Sequence, residues 1–159
     1  MGATSEHFSN AELQCHSGCG RNECTQGLVD ALEALRALAG KPISIDSAYR
    51  CPEYNASLPN AAQHSQHVLG NAADIVIEGM TPAEMEALAL RVPAIHGLGR
   101  ADYQGYLHVD VRPEGVEHGS GEVPTIQPLV QWCYDKAGNE CAYYPPTATV
   151  AGRDAGVTT

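Results

Sequence analysis

The residues best suited to chemistry are two histidines and an aspartate. His67 and Asp74 belong to the run Ser65-Gln66-His67-Val68-Leu69-Gly70-Asn71-Ala72-Ala73-Asp74, and His108 to the later run Leu107-His108-Val109-Asp110. Two imidazoles and a carboxylate make a ligand set for a catalytic zinc ion. Three protein ligands leave the fourth tetrahedral position open, whereas a structural zinc usually has all four filled. Such an ion lowers the pKa of a bound water towards ~7 and supplies a nucleophile at neutral pH. The chemistry indicated is hydrolysis. A single histidine is more often a surface or core residue than a ligand. It is His-x6-Asp with a later His-x-Asp, set among small residues, that points to a metal.

Other groups gather around this set. His108 and Asp110, two apart on an expected strand, face the same side with Cα atoms roughly 6–7 Å apart. Asp110 is thus placed to take a proton from the attacking water and pass it to the leaving amine, which is the expectation here. The plainer role is to orient an imidazole from behind. Arg50 offers a guanidinium for a substrate carboxylate or a developing oxyanion; its plainer role is a salt bridge with Glu53 or Asp46. Ser65 is a candidate donor to the same carboxylate. No Gly-x-Ser-x-Gly elbow surrounds it, which argues against a Ser–His nucleophile. His64 adjoins the set, while His7, His16, His96 and His118 have no comparable context.

The elements that must position these groups are legible in outline. Leu28, Ala31, Leu32, Leu35 and Leu38 recur at helical spacing over Gly27 to Ala39, and Gly40 ends the run. Ile43 to Tyr49 alternates like a strand, Cys51 to Gln66 reads as a loop, and Ala72 to Ile77 as a short apolar strand. Thr81-Pro82-Ala83-Glu84 predicts a helix start with Thr as cap and Pro at the first helical position, the helix running to about Arg91. Gly97 to Arg100 and Tyr106 to Arg112 read as two strands joined by a polar turn. The order predicts an α+β domain with a small, mainly antiparallel sheet and flanking helices. It fills residues 1–113. An acidic extension over 114–147, carrying a Cys133/Cys141 hairpin, packs on it, and 148–159 form a disordered tail. Trp132, Tyr143 and Tyr144 are assigned to core cover rather than to a groove.

The chain has 159 residues, with 19 acidic against 9 basic side chains and a formal charge of -10. That balance argues against nucleic-acid and anionic-membrane partners, both of which need a basic face. No apolar run approaches the ~20 residues of a membrane span, and the first ten residues show no signal-peptide pattern. Six cysteines suggest disulfides outside a reducing cytosol. Cys133 and Cys141 are placed to close their turn, whereas Cys15, Cys19, Cys24 and Cys51 have no pairing that spacing decides. A structural zinc is the weaker alternative for those four, because Cys-x3-Cys-x4-Cys is not a standard knuckle.

Taken together, Ser65-x-His67-x-x-Gly70-x-Ala72-x-Asp74 with a later His108-x-Asp110 resembles the zinc D-Ala-D-Ala carboxypeptidase family of peptidoglycan peptidases. That family shares its fold with lysostaphin-type peptidases and the hedgehog signalling domain. The likeness also takes in Phe8-Ser9, Leu28 to Arg36, Lys41 to Ile45, Ala48-Tyr49-Arg50-Cys51-Pro52-Glu53-Tyr54-Asn55 and Gly97 to Arg100. It implies a hedgehog/DD-peptidase-like fold and a zinc metallopeptidase acting in the periplasm or cell wall. The expected reaction is cleavage of peptidoglycan stem-peptide bonds involving D-amino acids, by a carboxypeptidase or endopeptidase, with phage lysis enzymes among the family's compact members. It implies His67, Asp74 and His108 as zinc ligands and Arg50 and Ser65 as substrate-side groups; a monomer is expected. Many members carry the catalytic acid three residues before the second histidine, where this chain has Gly105; others carry it two residues after, as Asp110 stands here. The alternative reading is a wall-binding or signalling domain that holds zinc without catalysis.

Overall fold

The computed structural model describes residues 1–113 and 129–141. The acidic stretch 114–128 with His118, the pair Tyr143 and Tyr144, and the tail 148–159 lie outside the described residues. The architecture is α+β. Six strands form one sheet in the order β1-β2-β4-β3-β5-β6, with β1 Ser44–Ser47, β2 Ala72–Val76, β3 Gly97–Ala101, β4 Tyr106–Asp110, β5 Val130–Tyr134 and β6 Glu140–Cys141. Every pairing is antiparallel except β3 with β5.

Among the described residues, four helices flank the sheet: α1 Asn10–Leu13, α2 Gln26–Ala39, α3 Pro52–Ser57 and α4 Pro82–Ala89. The long helix α2 starts where Thr25 accepts a hydrogen bond from the Leu28 amide, and it ends at Gly40 in the left-handed conformation. Its inner stripe buries Leu28, Val29, Leu32 and Leu35, each worth about 1.5–3 kcal/mol of burial. Helix α4 has the expected capping box, Thr81 and Glu84 bonding each other's backbone amides. Phe8, Leu13, Ile75, Met85, Leu98 and Leu107 join the same core.

Three features depart from the sequence reading. Pro52, at the first turn, starts helix α3 inside the segment expected to be loop. Strand β5 runs parallel to β3 and extends the sheet, so Trp132 belongs to a strand of the same sheet as the histidine. The expected disulfides are not formed: all six cysteines are free thiols, and Cys133 and Cys141 stand opposite one another as cross-strand neighbours.

Candidate metal centre and cleft

One row of the sheet carries most of the site. Register places Ser47 opposite Asp74, Asp74 opposite His108, His108 opposite Gly99 and Gly99 opposite Trp132. Residues paired in this way project from the same face of adjacent strands, so Asp74 and His108 meet as cross-strand neighbours. Gly99 has no side chain because Trp132 fills that place: a Cβ there would lie 2.5 Å from the indole. The indole reaches past it to His108, with ring centroids 4.9 Å apart. His67 comes from the turn before β2. That turn is held by Gly70, whose φ of 72° and contact with the Glu23 carbonyl leave no room for a side chain.

The three candidate ligand atoms form a small triangle. His67 Nε2 and His108 Nδ1 are 3.2 Å apart, His108 Nδ1 and Asp74 Oδ1 3.0 Å, and His67 Nε2 and Asp74 Oδ1 3.3 Å. An ion about 2.0–2.1 Å from each in tetrahedral geometry sets ligand edges near 3.4 Å, so the triangle has the size of one tetrahedral face. The groups behind the rings fix the tautomers. His67 Nδ1 donates to the Ala48 carbonyl at 2.7 Å, and His108 Nε2 donates to Asp110 Oδ2 at 2.9 Å. The inward nitrogen of each neutral ring then carries a lone pair. Two lone pairs and a carboxylate oxygen converging within this triangle fit a cation.

Electrostatics follow from burial and neighbours. Burial works against ionisation of Asp74, but His67 and His108 outweigh it and hold the carboxyl well below the usual range. Burial pushes His67 down, opposed by Asp74. Burial also opposes charge on His108, yet Asp110 and Asp74 together raise it.

Asp110 sits behind His108, on the side away from the triangle, and is fully buried. Arg112 clamps it through its backbone amide at 3.1 Å and Nε at 2.7 Å. The small residues Ala72 and Gly97 flank it on the neighbouring strands, and a Cβ on Gly97 would collide with its carboxylate. Arg50 donates to Asp74 Oδ2 at 3.0 Å and to Ser47 Oγ at 3.1 Å, so its ion-pair partner is Asp74 rather than Glu53 or Asp46. The Ser65 hydroxyl accepts from the His67 amide at 3.2 Å. Asp102 pairs with Arg100 at 2.9 Å on the exposed side of a turn.

A cleft of about 380 Å³ opens over the triangle. Arg50, His64, Ser65, His67, Asp74 and His108 line it, and Asp110 does not. Tyr106, Arg112, Trp132, Tyr134 and Glu140 make further wall of it. Sequence reasoning missed this wall. Its one legible signal was the alternation of Trp132 and Tyr134, which puts both rings on one face of a strand.

The peptidase M15 family model matches residues 6–110. The chain belongs to that family. It is 33% identical over 93 residues to the peptidoglycan L,D-endopeptidase MepK of Escherichia coli (strain K12), covering 55% of this chain and 50% of that protein. The proteins of the same name from Escherichia coli O157:H7 and Shigella flexneri match to the same extent. The chain spans about half the length of these curated relatives. No solved structure matches it. Among the described residues, no helix is long and apolar enough to cross a membrane.

Proposed function

We propose that this chain hydrolyses peptide bonds of peptidoglycan stem peptides, at a bond involving a D-amino acid, with zinc held by His67, Asp74 and His108. The observation that carries the reading is the triangle of donor atoms, 3.0–3.3 Å on a side, at the floor of the cleft. The zinc, when bound, supplies a Lewis acid and an activated water. The relatives' L,D-endopeptidase activity favours an internal bond of the stem over trimming of a terminal residue.

The chain's own groups take the remaining roles. Ala48 and Asp110 hold the two imidazoles in the tautomers that turn lone pairs inward. Asp110 is therefore a positioning residue in this reading, in place of the base expected from the sequence, because it is buried behind the ring with Arg112 on it. Among the described residues, Glu140 is the carboxylate besides Asp74 that lines the cleft and the better candidate to receive a proton there. Arg50, anchored by Asp74, and Ser65 face the cleft where a substrate carboxylate or a developing oxyanion would lie. Tyr106, Trp132 and Tyr134 offer flat apolar faces for the stem's side chains. The setting for such chemistry is the periplasm or the wall, and a phage lysis enzyme is one such setting.

The test is mass spectrometry of defined cross-linked and uncross-linked muropeptides after incubation with the zinc-loaded protein and with a chelated control. Chelator-sensitive products support the peptidase, and their masses identify the bond. The withdrawal of Asp110 from the cleft, with Gly105 at the alternative acid position, keeps one rival in view: a domain that holds zinc and binds the wall without cutting it. Intact muropeptides beside zinc-loaded protein would establish that rival.

A further inference from the structure

A second cluster of ligating atoms lies outside the cleft. The sulfurs of Cys15, Cys19 and Cys51 all lie within 4.8 Å of one another. Cys15 and Cys51 are buried, and their sulfurs are 3.6 Å apart. Four sulfurs at about 2.3 Å around a tetrahedral zinc have edges near 3.8 Å. An S–S bond would use two of the three sulfurs and leave the third beside it; one ion uses all three. The loop is shaped for this. Gly18 and Gly20, with φ of 82° and 70°, bracket Cys19 and turn it back toward its partners. The Cys15 amide bonds to the Arg21 carbonyl at 2.8 Å and closes the loop.

Donors also surround the sulfurs. The Cys51 amide points at Cys15 Sγ at 3.3 Å. The Ser17 hydroxyl lies 3.3 Å from Cys15 Sγ and 3.7 Å from Cys51 Sγ. The hydrogen bond from the Cys51 amide favours the thiolate form of Cys15, the form that ligates metals. Cys24, by contrast, is a core thiol whose sulfur contacts the Leu13 carbonyl.

We propose that Cys15, Cys19 and Cys51 bind a structural zinc ion, separate from the one assigned to the cleft. A structural zinc takes a fourth ligand, and the candidate is the His16 imidazole, exposed in the same loop as Cys19. The ion ties the N-terminal loop to Cys51, the residue after Arg50, and so fixes the strand end from which Arg50 reaches Asp74.

The test is metal counting on the reduced full chain after zinc loading and desalting, with cobalt(II) substitution as the second readout. About two zinc ions per chain are expected, one of them surviving in a His67→Ala/His108→Ala variant. Cobalt in that variant should give an intense thiolate-to-cobalt charge-transfer band in the near ultraviolet. Cys15→Ser/Cys51→Ser should lose that ion and the band, while Cys24→Ser keeps both. Should the double variant fail to fold, Cys19→Ser, at an exposed position, should weaken zinc binding at this site at least tenfold. A His67→Ala/His108→Ala protein with no zinc and no band would overturn the proposal. So would a Cys15–Cys51 disulfide in unreduced protein together with no thiophilic metal after reduction. A chain that holds one zinc, kept without the histidines and lost without the cysteines, would uphold this site and overturn the cleft reading instead.

Discussion

The histidine–aspartate cluster and the cysteine cluster are joined by four consecutive residues, Ala48 to Cys51, yet they are built in opposite ways. The first hangs largely from neighbouring strands, with Asp74 and His108 opposite one another in register and small residues beside them. Its rings are oriented from behind by Ala48 and Asp110, and its open side is a cleft. The second hangs from loops and a helix start, and two of its three sulfurs are sealed from solvent. Strands hold donor atoms rigidly while leaving one side free for a substrate. Loops need the ion itself to hold them, and an ion that serves as a staple has nothing to gain from an accessible face. All three cleft donors are buried whereas Cys19 is exposed, so the difference teaches that a cleft over the donor triangle, rather than exposure of the donor residues, marks the site proposed for chemistry.

The sharpest way to break this contrast is a crossed pair of variants. His67→Ala is expected to reduce muropeptide hydrolysis to background while the melting temperature of the zinc-loaded protein changes little. Cys51→Ser is expected to do the reverse, lowering the melting temperature and retaining turnover at low temperature; calorimetry and product mass spectrometry on both proteins check this. If both variants lost both properties, the division of labour would be wrong.

Next in size is Asp110→Asn. A residue that orients a ligand typically costs 10–100-fold in metal affinity or activity, and zinc titration against a competing chelator should show a loss of roughly that order. Turnover should largely return at saturating zinc. Full zinc binding with no turnover would restore Asp110 as the base. A smaller effect is expected from Gly99→Ala, where a Cβ would press on Trp132. Overpacking of this kind costs about 1–3 kcal/mol, readable as a lower denaturant midpoint and a weaker KM as the indole moves off His108.

The smallest expected effect is remote from both clusters. Glu86 is fully buried beneath α4, with Arg100 at 3.9 Å. Burial raises its carboxyl to about 7, with Arg100 opposing and Asp102 adding to the rise. A folded-state pKa above the unfolded value favours the native state at low pH. That contribution is complete below the ordinary carboxyl range near 4.5 and is lost as pH rises through about 7. The melting temperature should therefore fall between pH 5 and pH 8 by a few degrees, and Glu86→Gln should flatten that slope. An unchanged slope would show that the charge is satisfied in the native state.

The amphipathic stripe of α2, the capping box of α4 and the strands on either side of the Asp102–Gly105 turn could all be read from local pattern. Each is decided by neighbours a few residues away. Spacing also sufficed to bring His67, Asp74 and His108 forward as one set. It left the role of Asp110 open. Two residues apart on a strand means the same face, but not which ring nitrogen of His108 the carboxylate meets, and that choice separates a base from a support. The Cys133/Cys141 hairpin was legible and stands as β5 and β6, but the pairing of β5 with β3 was not, because β3 lies far back in the chain and no local rule encodes that pairing. The cysteines were read first for disulfides, with a structural zinc on Cys15, Cys19, Cys24 and Cys51 as the weaker alternative, whereas the sulfurs of Cys15, Cys19 and Cys51 come together without Cys24.

The parallel strand β5 also means that the cleft is assembled from two separate stretches of sequence. The donor triangle lies within the part that matches the family, residues 6–110, while Trp132, Tyr134 and Glu140 come from 130–141. Substitutions in the later stretch can therefore reshape what the cleft accepts without touching the atoms that hold the metal. The atoms placed to hold a metal and one part of the wall around them thus come from separate stretches of the chain, so that part of the wall can be varied while the triangle stays as it is.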